Sequence, residues 1–176
     1  RRMAAPGVTT EDIDCEAERL VRAEGAEPAF KGYHGYPATV CVSANEQVVH
    51  GIPSKRPLVE GDILSIDMGA KLDGYFGDCA VTVPIGRVSP EATELLRVTE
   101  EALFHGIEAV KPGARVSDIG AAVQQHVSET DAVRAEGLGA AVQREPGRSL
   151  LICRAAVAHP RAARDDRRDD QRTGRE

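Results

Sequence analysis

Apolar positions follow a helical period in some stretches of the chain and a β pattern in others. Ile13, Ala17, Leu20 and Val21 share one face of a segment that Thr9 or Thr10 can cap and Gly25 can stop, which predicts a half-buried helix ending near Glu24. After Ser89-Pro90, the residues Ala92, Leu95, Leu96, Thr99, Leu103, Ile107 and Val110 recur every three or four positions, and Lys111-Pro112-Gly113 closes that second helix. A third helix is expected to open near Ser117. Between the first two helices the pattern is β-branched. Residues 38–43 and 46–50 read as strands separated by Ala44-Asn45, and residues 62–83 read as two strands around Lys71-Leu72-Asp73-Gly74. The expected class is α+β.

Part of the pattern repeats. Pro6-Gly7, Asp12-Ile13 and Val21 recur as Pro112-Gly113, Asp118-Ile119 and Val127, each 106 positions later. A repeat of this kind suggests two similar halves, although Pro-Gly before a helix is also common punctuation. The sequels differ. An aromatic, strand-rich stretch follows the first copy, whereas Glu129-Thr130-Asp131 and then Ala, Gly and Arg follow the second, with no comparable strand. Residues 154–176 are mostly Ala, Arg and Asp, too poor in apolar surface to offset ordering entropy, and are expected to be disordered.

Composition narrows the function classes. A chain of 176 residues is long enough for one domain with a sizeable core. Its net charge of −6 lacks the basic balance of a nucleic-acid binder or a polybasic membrane anchor. Residues 1–125 carry −7, and the rest carry +1. No apolar run approaches the roughly 20 residues of a spanning helix, and no signal-peptide order opens the chain, so a cytoplasmic protein without nucleic-acid or membrane partners is expected. Cys15, Cys41, Cys79 and Cys153 are far apart and form no C-x-x-C, so reduced thiols are the default.

The strongest chemical signal is a pair of aspartates. A turn centred on Leu72-Asp73 would set Asp67 directly opposite Asp78; a turn centred on Asp73-Gly74 would make them diagonal neighbours on the same face. Leu64 and Ile66 point the other way in either register. Like charges this close call for a shared proton or a cation between them, with a bridging divalent metal as the natural reading. Two aspartates on a solvated sheet face are the plain alternative. His50 ends a β run where Gly51-Ile52-Pro53 force a loop, so its side chain can face a cleft or serve structure alone. Gly32-Tyr33-His34-Gly35-Tyr36-Pro37 forms a compact loop that either lines a pocket or packs over the sheet. Neither a phosphate-binding glycine loop nor a serine nucleophile elbow is present.

These segments together resemble a known family. Gly32-Tyr33-His34-Gly35-Tyr36-Pro37, Cys41-Val42-Ser43-Ala44-Asn45-Glu46, His50-Gly51-Ile52-Pro53, residues 61–67 ending in Asp67, and Asp73-Gly74-Tyr75-Phe76-Gly77-Asp78 are similar in order and spacing to type I methionine aminopeptidase. The likeness runs from about Met3 to Val127. It implies the two-fold repeated pita-bread (creatinase/aminopeptidase-like) fold, here its first half and the start of its second. By position, Asp67 and Asp78 resemble two ligands of a dinuclear site for divalent manganese, iron, cobalt or zinc. His50 resembles a substrate-contacting catalytic histidine, and Tyr33, Tyr36 and Cys41 resemble the wall of a methionine pocket, a sensible lining for a thioether. The implied reaction is hydrolytic release of N-terminal methionine from peptides or nascent chains.

The departure from the family is as informative. Its remaining metal ligands and a second substrate histidine belong to the second half and are not recognisable here; a weak alignment would set Glu136 and Gln143 at two of those positions. Residues 1–127 therefore read as an incomplete catalytic domain, and residues 128–176 as an atypical tail, disordered or out of frame, with Arg1 marking a missing start. Impaired turnover and an exposed apolar face that favours association are the expectations. A non-catalytic pita-bread module that engages ribosomes or nascent chains is the alternative, and a prolyl aminopeptidase of the same fold is the third reading.

Overall fold

Thr9 opens the first helix in the computed structural model, which describes residues 3–130. Helix α1 (Thr10–Ala23) begins with a capping box: the Thr9 hydroxyl accepts from the Asp12 N–H at 3.1 Å, and the Asp12 carboxylate accepts from the Thr9 N–H at 3.0 Å. Ile13 and Val21 are buried and Ala17 packs beside them, but Leu20 is 49% exposed, so the buried face is narrower than its apolar pattern predicts. Gly25 follows the helix with φ +76°, the left-handed value that favours glycine.

One antiparallel sheet follows. Strand β1 (Glu27–Pro28) and strand β2 (Val40–Ala44) lie end to end along one edge of β3 (Ile63–Leu72), and β4 (Tyr75–Pro84) pairs with the other edge over its whole length. Leu72 pairs with Tyr75, which leaves Asp73-Gly74 as a two-residue turn with φ +51° and +84°. Both values suit a hairpin whose twist matches its strands. Val40, Val42, Ala44, Leu64 and Val83 face one side of this sheet and close the core with Ile13, Leu58 and Ile85.

Residues 46–50 do not form the expected strand. Asn45 turns the chain at φ +53°, and its side chain ties the turn to β3 by donating to Asp62 at 2.8 Å and accepting from the Ile63 N–H at 3.0 Å. Gln47 then bends back to accept the Ala44 N–H at 2.9 Å. Side chains thus occupy the ladder positions that a strand would need, and Val48 and Val49 are left exposed.

Helix α2 (Pro90–Glu108) is capped by Ser89, whose hydroxyl accepts from the Ala92 N–H at 3.1 Å. It forms a hairpin with α3 (Val116–Glu129), with Val98, Ala102 and Gly106 buried along the seam. A Cβ at position 106 would lie 3.0 Å from Val123 Cγ2, so glycine permits the close approach. Helix α3 repeats α1: both have fourteen residues, their bounds differ by 106 positions, and Gly7 and Gly113 precede them at φ +87° and +88°. Asp118 accepts from the Arg115 N–H at 2.8 Å, as Asp12 does from Thr9. The second element of the repeat is therefore built, while the expectations for residues 131–176, including the tail, Glu136 and Gln143, lie outside the described residues.

Candidate metal centre

Alternation along the sheet leaves one face for the core and the other for chemistry. Opposite the core residues, β3 presents Ser65, Asp67 and Gly69, β2 presents Cys41 and Ser43, and β4 presents Asp78, Ala80 and Thr82. Asp67 pairs with Cys41 on one side and Ala80 on the other, and Asp78 pairs with Gly69. The two aspartates are diagonal neighbours on one face, the second of the two registers the sequence allows. Diagonal Cα atoms stand roughly 7–8 Å apart with side chains closer, within the reach of one cation or a pair. Asp78 is half-buried, and its Oδ1 has no hydrogen-bond partner among the described residues.

An ionised oxygen buried without a donor is costly, and a divalent cation is the group that would relieve it beside a second carboxylate. Oxygen donors of this kind fit a hard or borderline divalent ion. Among the described residues no set of three His, Cys, Asp or Glu side chains is placed to hold a metal ion.

Tyr36 anchors the wall of this face. Its hydroxyl lies 2.9 Å from the Val40 carbonyl and 3.0 Å from the Gly51 carbonyl, and its one proton is shared between them. Burial first, then the neighbouring Cys41 thiol, then the Asp14 and Asp67 carboxylates push the tyrosine above its ordinary value, so it stays a donor. Tyr36, Cys41 and Asp67 are therefore brought together. Tyr33 and His50 are not joined to them. Tyr33 is 68% exposed with its ring edge-on to His34 at 4.4 Å between centroids, in a short 3₁₀ turn (Tyr33–Gly35). His50 is exposed at φ +57°, one residue before the carbonyl that Tyr36 holds.

Several further residues shape this face, and of these Phe30, Gly69 and Asp14 carry no motif. Phe30 lies over Gly69, where a Cβ would meet its Cε1 at 2.6 Å, so glycine at 69 lets the ring cover the end of the face beside Asp78. Asp14 on α1 accepts the N–H groups of Thr39 and Val40 at 2.8 and 2.9 Å and fixes the start of β2 ahead of Cys41. The position of Asp14 next to buried Ile13 is the only sequence signal for that role. Gly51 approaches β2 so closely that a Cβ would lie 1.9 Å from the Val42 carbonyl oxygen.

Residues 1–159 match the metallopeptidase family M24. The chain belongs to that family. Methionine aminopeptidase 1 of Bacillus subtilis (strain 168) is 52% identical over 122 residues, covering 69% of this chain and 49% of that protein. A methionine aminopeptidase from Thermotoga maritima superposes with a TM-score of 0.71 at 41% identity, over 72% of this chain and 51% of that one. Prolidase from Pyrococcus furiosus gives 0.62 at 24% identity, over 71% of this chain and 36% of that one, a likeness of fold alone. The chain spans about half the length of the curated relatives it matches. The architecture is the α+β pita-bread fold of M24, and the aspartate pair lies in a family of metallopeptidases.

Proposed function

We propose that this chain carries the first half of a methionine aminopeptidase site, which removes N-terminal methionine from peptides or nascent chains with the help of divalent metal. The observation that carries the reading is the aspartate pair: Asp67 and Asp78 share one face, Asp67 sits opposite Cys41, and Asp78 Oδ1 has no donor among the described residues. Asp67 and Asp78 would hold manganese, iron, cobalt or zinc. Bound there, the metal supplies a polarised carbonyl and an activated water for peptide hydrolysis. Cys41 and the ring of Tyr36 form an apolar, sulfur-bearing wall for a methionine side chain, and the Tyr36 hydroxyl, tied to two carbonyls, holds that wall in place. Tyr33 and His50 lie on the two loops that Tyr36 joins. In this reading they close over a bound peptide, His50 donating near the scissile bond, and so need movement from their exposed positions.

Among the described residues the pair has no third ligand, and two carboxylates bind a divalent ion weakly, so impaired turnover is the expectation for this chain. The test measures Mn2+ binding calorimetrically and free methionine released from Met-Ala-Ser. Weak binding lost in both Asp67→Asn and Asp78→Asn, with turnover well below that of a full-length relative, is the expected result. Brisk metal-dependent release would refute the impairment, and Mn2+ binding unchanged in both variants would refute the site. Co-sedimentation with ribosomes without any turnover would favour a non-catalytic module instead.

A further inference from the structure

Side chains and a loop satisfy the outer edge of β2. The Val40 N–H donates to Asp14 Oδ1 at 2.9 Å, and the Val40 carbonyl accepts from the Tyr36 hydroxyl at 2.9 Å. Farther along, the Val42 N–H donates to the Gly51 carbonyl at 2.9 Å and the Ala44 N–H to Gln47 Oε1 at 2.9 Å. Even-numbered residues of β2 therefore bond outward, which leaves the backbone groups of Cys41 and Ser43 to β3. There Cys41 pairs with Asp67. Val40, directly ahead of Cys41, is gripped at both its N–H and its carbonyl.

The structure assigns to Asp14 the role of a positioning residue for the wall formed by Cys41 and Tyr36. The inference rests on the reading of that wall as the pocket for a methionine side chain. Asp14 acts through the backbone: its one oxygen Oδ1 accepts from Thr39 at 2.8 Å as well as from Val40, so it fixes two successive amides and with them the place where β2 begins. Tyr36 reaches the same Val40 from its other end, so ring and thiol are held to each other through a single residue. Without the carboxylate, two amides at a part-buried strand start lose their acceptor, and the chain ahead of Cys41 is free to lift from the sheet.

The internal repeat separates this role from helix building. Helix α3 reproduces α1 106 positions later, with Asp118 and Ile119 at the places of Asp12 and Ile13, but Gly120 stands where Asp14 does. The same fourteen-residue helix thus forms without a carboxylate at this place. Thr9 and Asp12 make the capping box, and Asp14 is outside it. What the two helices share serves the helix, and what α1 alone carries reaches β2.

Iodoacetamide labelling of the 176-residue chain, read by peptide mass, tests this. Cys41 is buried and Cys79 on β4 is exposed, so Cys79 is the internal reference. Asp14→Ala is expected to raise the Cys41 labelling rate by on the order of 10–100-fold, the effect of two lost hydrogen bonds, with no change at Cys79. Asp14→Asn keeps an Oδ1 acceptor and is expected to stay within about threefold of the parent. The rise in Asp14→Ala should be flat between zero and about 1 M urea, because local opening exposes little surface whereas global unfolding responds steeply. Mn2+ affinity should stay within about twofold in both variants, since Asp67 and Asp78 are set by the pairing of β3 with β4. A Cys41 rate unchanged in Asp14→Ala, equal rises in the Ala and Asn variants, or a rise that steepens with urea as a general loss of stability does, would overturn the positioning role. A parent chain that binds no Mn2+ would overturn the proposed function instead, with Cys41 labelling still deciding whether Asp14 holds β2.

Discussion

Gly51→Ala is expected to detach the loop that carries His50 from the edge of β2. A Cβ at that position would lie 1.9 Å from the Val42 carbonyl oxygen, 2.8 Å from its carbon and 3.1 Å from Ser43 Oγ. Ordinary contact needs roughly 3.5 Å, so the backbone must retreat by well over an ångström. That movement breaks three hydrogen bonds: Val42 N–H to the Gly51 carbonyl at 2.9 Å, Gly51 N–H to Ser43 Oγ at 3.2 Å, and the Tyr36 hydroxyl to the same carbonyl at 3.0 Å. At about 0.5–1.5 kcal/mol each, the predicted loss is about 2–4 kcal/mol. With a urea slope of about 1–3 kcal/mol per molar, the unfolding midpoint should fall by on the order of 1–2 M. Ser43→Ala is the control, because its bond to Gly51 is already gone in Gly51→Ala; it should cost about 1 kcal/mol in the parent and almost nothing in the double variant. A Gly51→Ala unfolding free energy within about 0.5 kcal/mol of the parent, or full additivity with Ser43→Ala, would refute the close approach.

Asp78→Asn is expected to abolish Mn2+ stabilisation while raising stability in EDTA by roughly 0.2–1 kcal/mol, since it removes a like charge diagonal to Asp67; thermal melts with and without Mn2+ check both signs, and a variant less stable than the parent in EDTA counts against the charge reading. Asp62 is 4% exposed: burial raises its carboxyl, and the Asn45 amide, the Val59 N–H and the Arg56 guanidinium outweigh that and hold it below the ordinary carboxylate range. Its folded value is depressed, so its contribution is full above the unfolded value of about 3.9 and is lost as pH falls through the folded value. Asp62→Asn should therefore cost about 2–3 kcal/mol at pH 7 and progressively less on acidification below pH 4, measured as urea midpoints; a cost independent of pH would contradict this. Gly106→Val should part α2 from α3, because even a Cβ there lies 3.0 Å from Val123 Cγ2, and unchanged helical melting would argue against a tight seam.

The elements legible in the sequence are those fixed by local rules. Thr9, Ser89 and Gly25 delimit helices because caps and left-handed stops act within one turn. The 106-residue echo was legible for the same reason: Pro-Gly, a capping aspartate and an apolar face rebuild the same fourteen-residue helix wherever they occur. Residues 46–50 misled because β-branched composition says nothing about ladder partners, and here the side chains of Asn45 and Gln47 take those positions. The close approaches at Gly51 and Gly69 depend on residues far along the chain, and no local pattern could show which neighbours would meet them.

The aspartate pair was legible for a different reason. Side-chain alternation has a period of two, and a hairpin preserves it through any turn of even length, so the shared face of Asp67 and Asp78 did not depend on choosing the register. Only their offset did, and the left-handed conformations at Asp73 and Gly74 decided it in favour of the diagonal. The same parity reasoning fails for Tyr33 and His50, which sit on loops outside the sheet. The Tyr33 turn is held by its own backbone bonds, and the loop after His50 by the Gly51 bonds to Val42 and Ser43 and by the Tyr36 hydroxyl, whose two carbonyl acceptors lie four and fifteen residues away. If Asp67 and Asp78 hold a metal as proposed, strand parity fixes that part of the site, while the part proposed to meet a peptide rests on loops. Tyr36→Phe should therefore leave Mn2+ affinity within about twofold while exposing the loop at 50–52 to proteolysis. A large loss of Mn2+ affinity in that variant would show instead that the tyrosine, and not the sheet, positions the carboxylates.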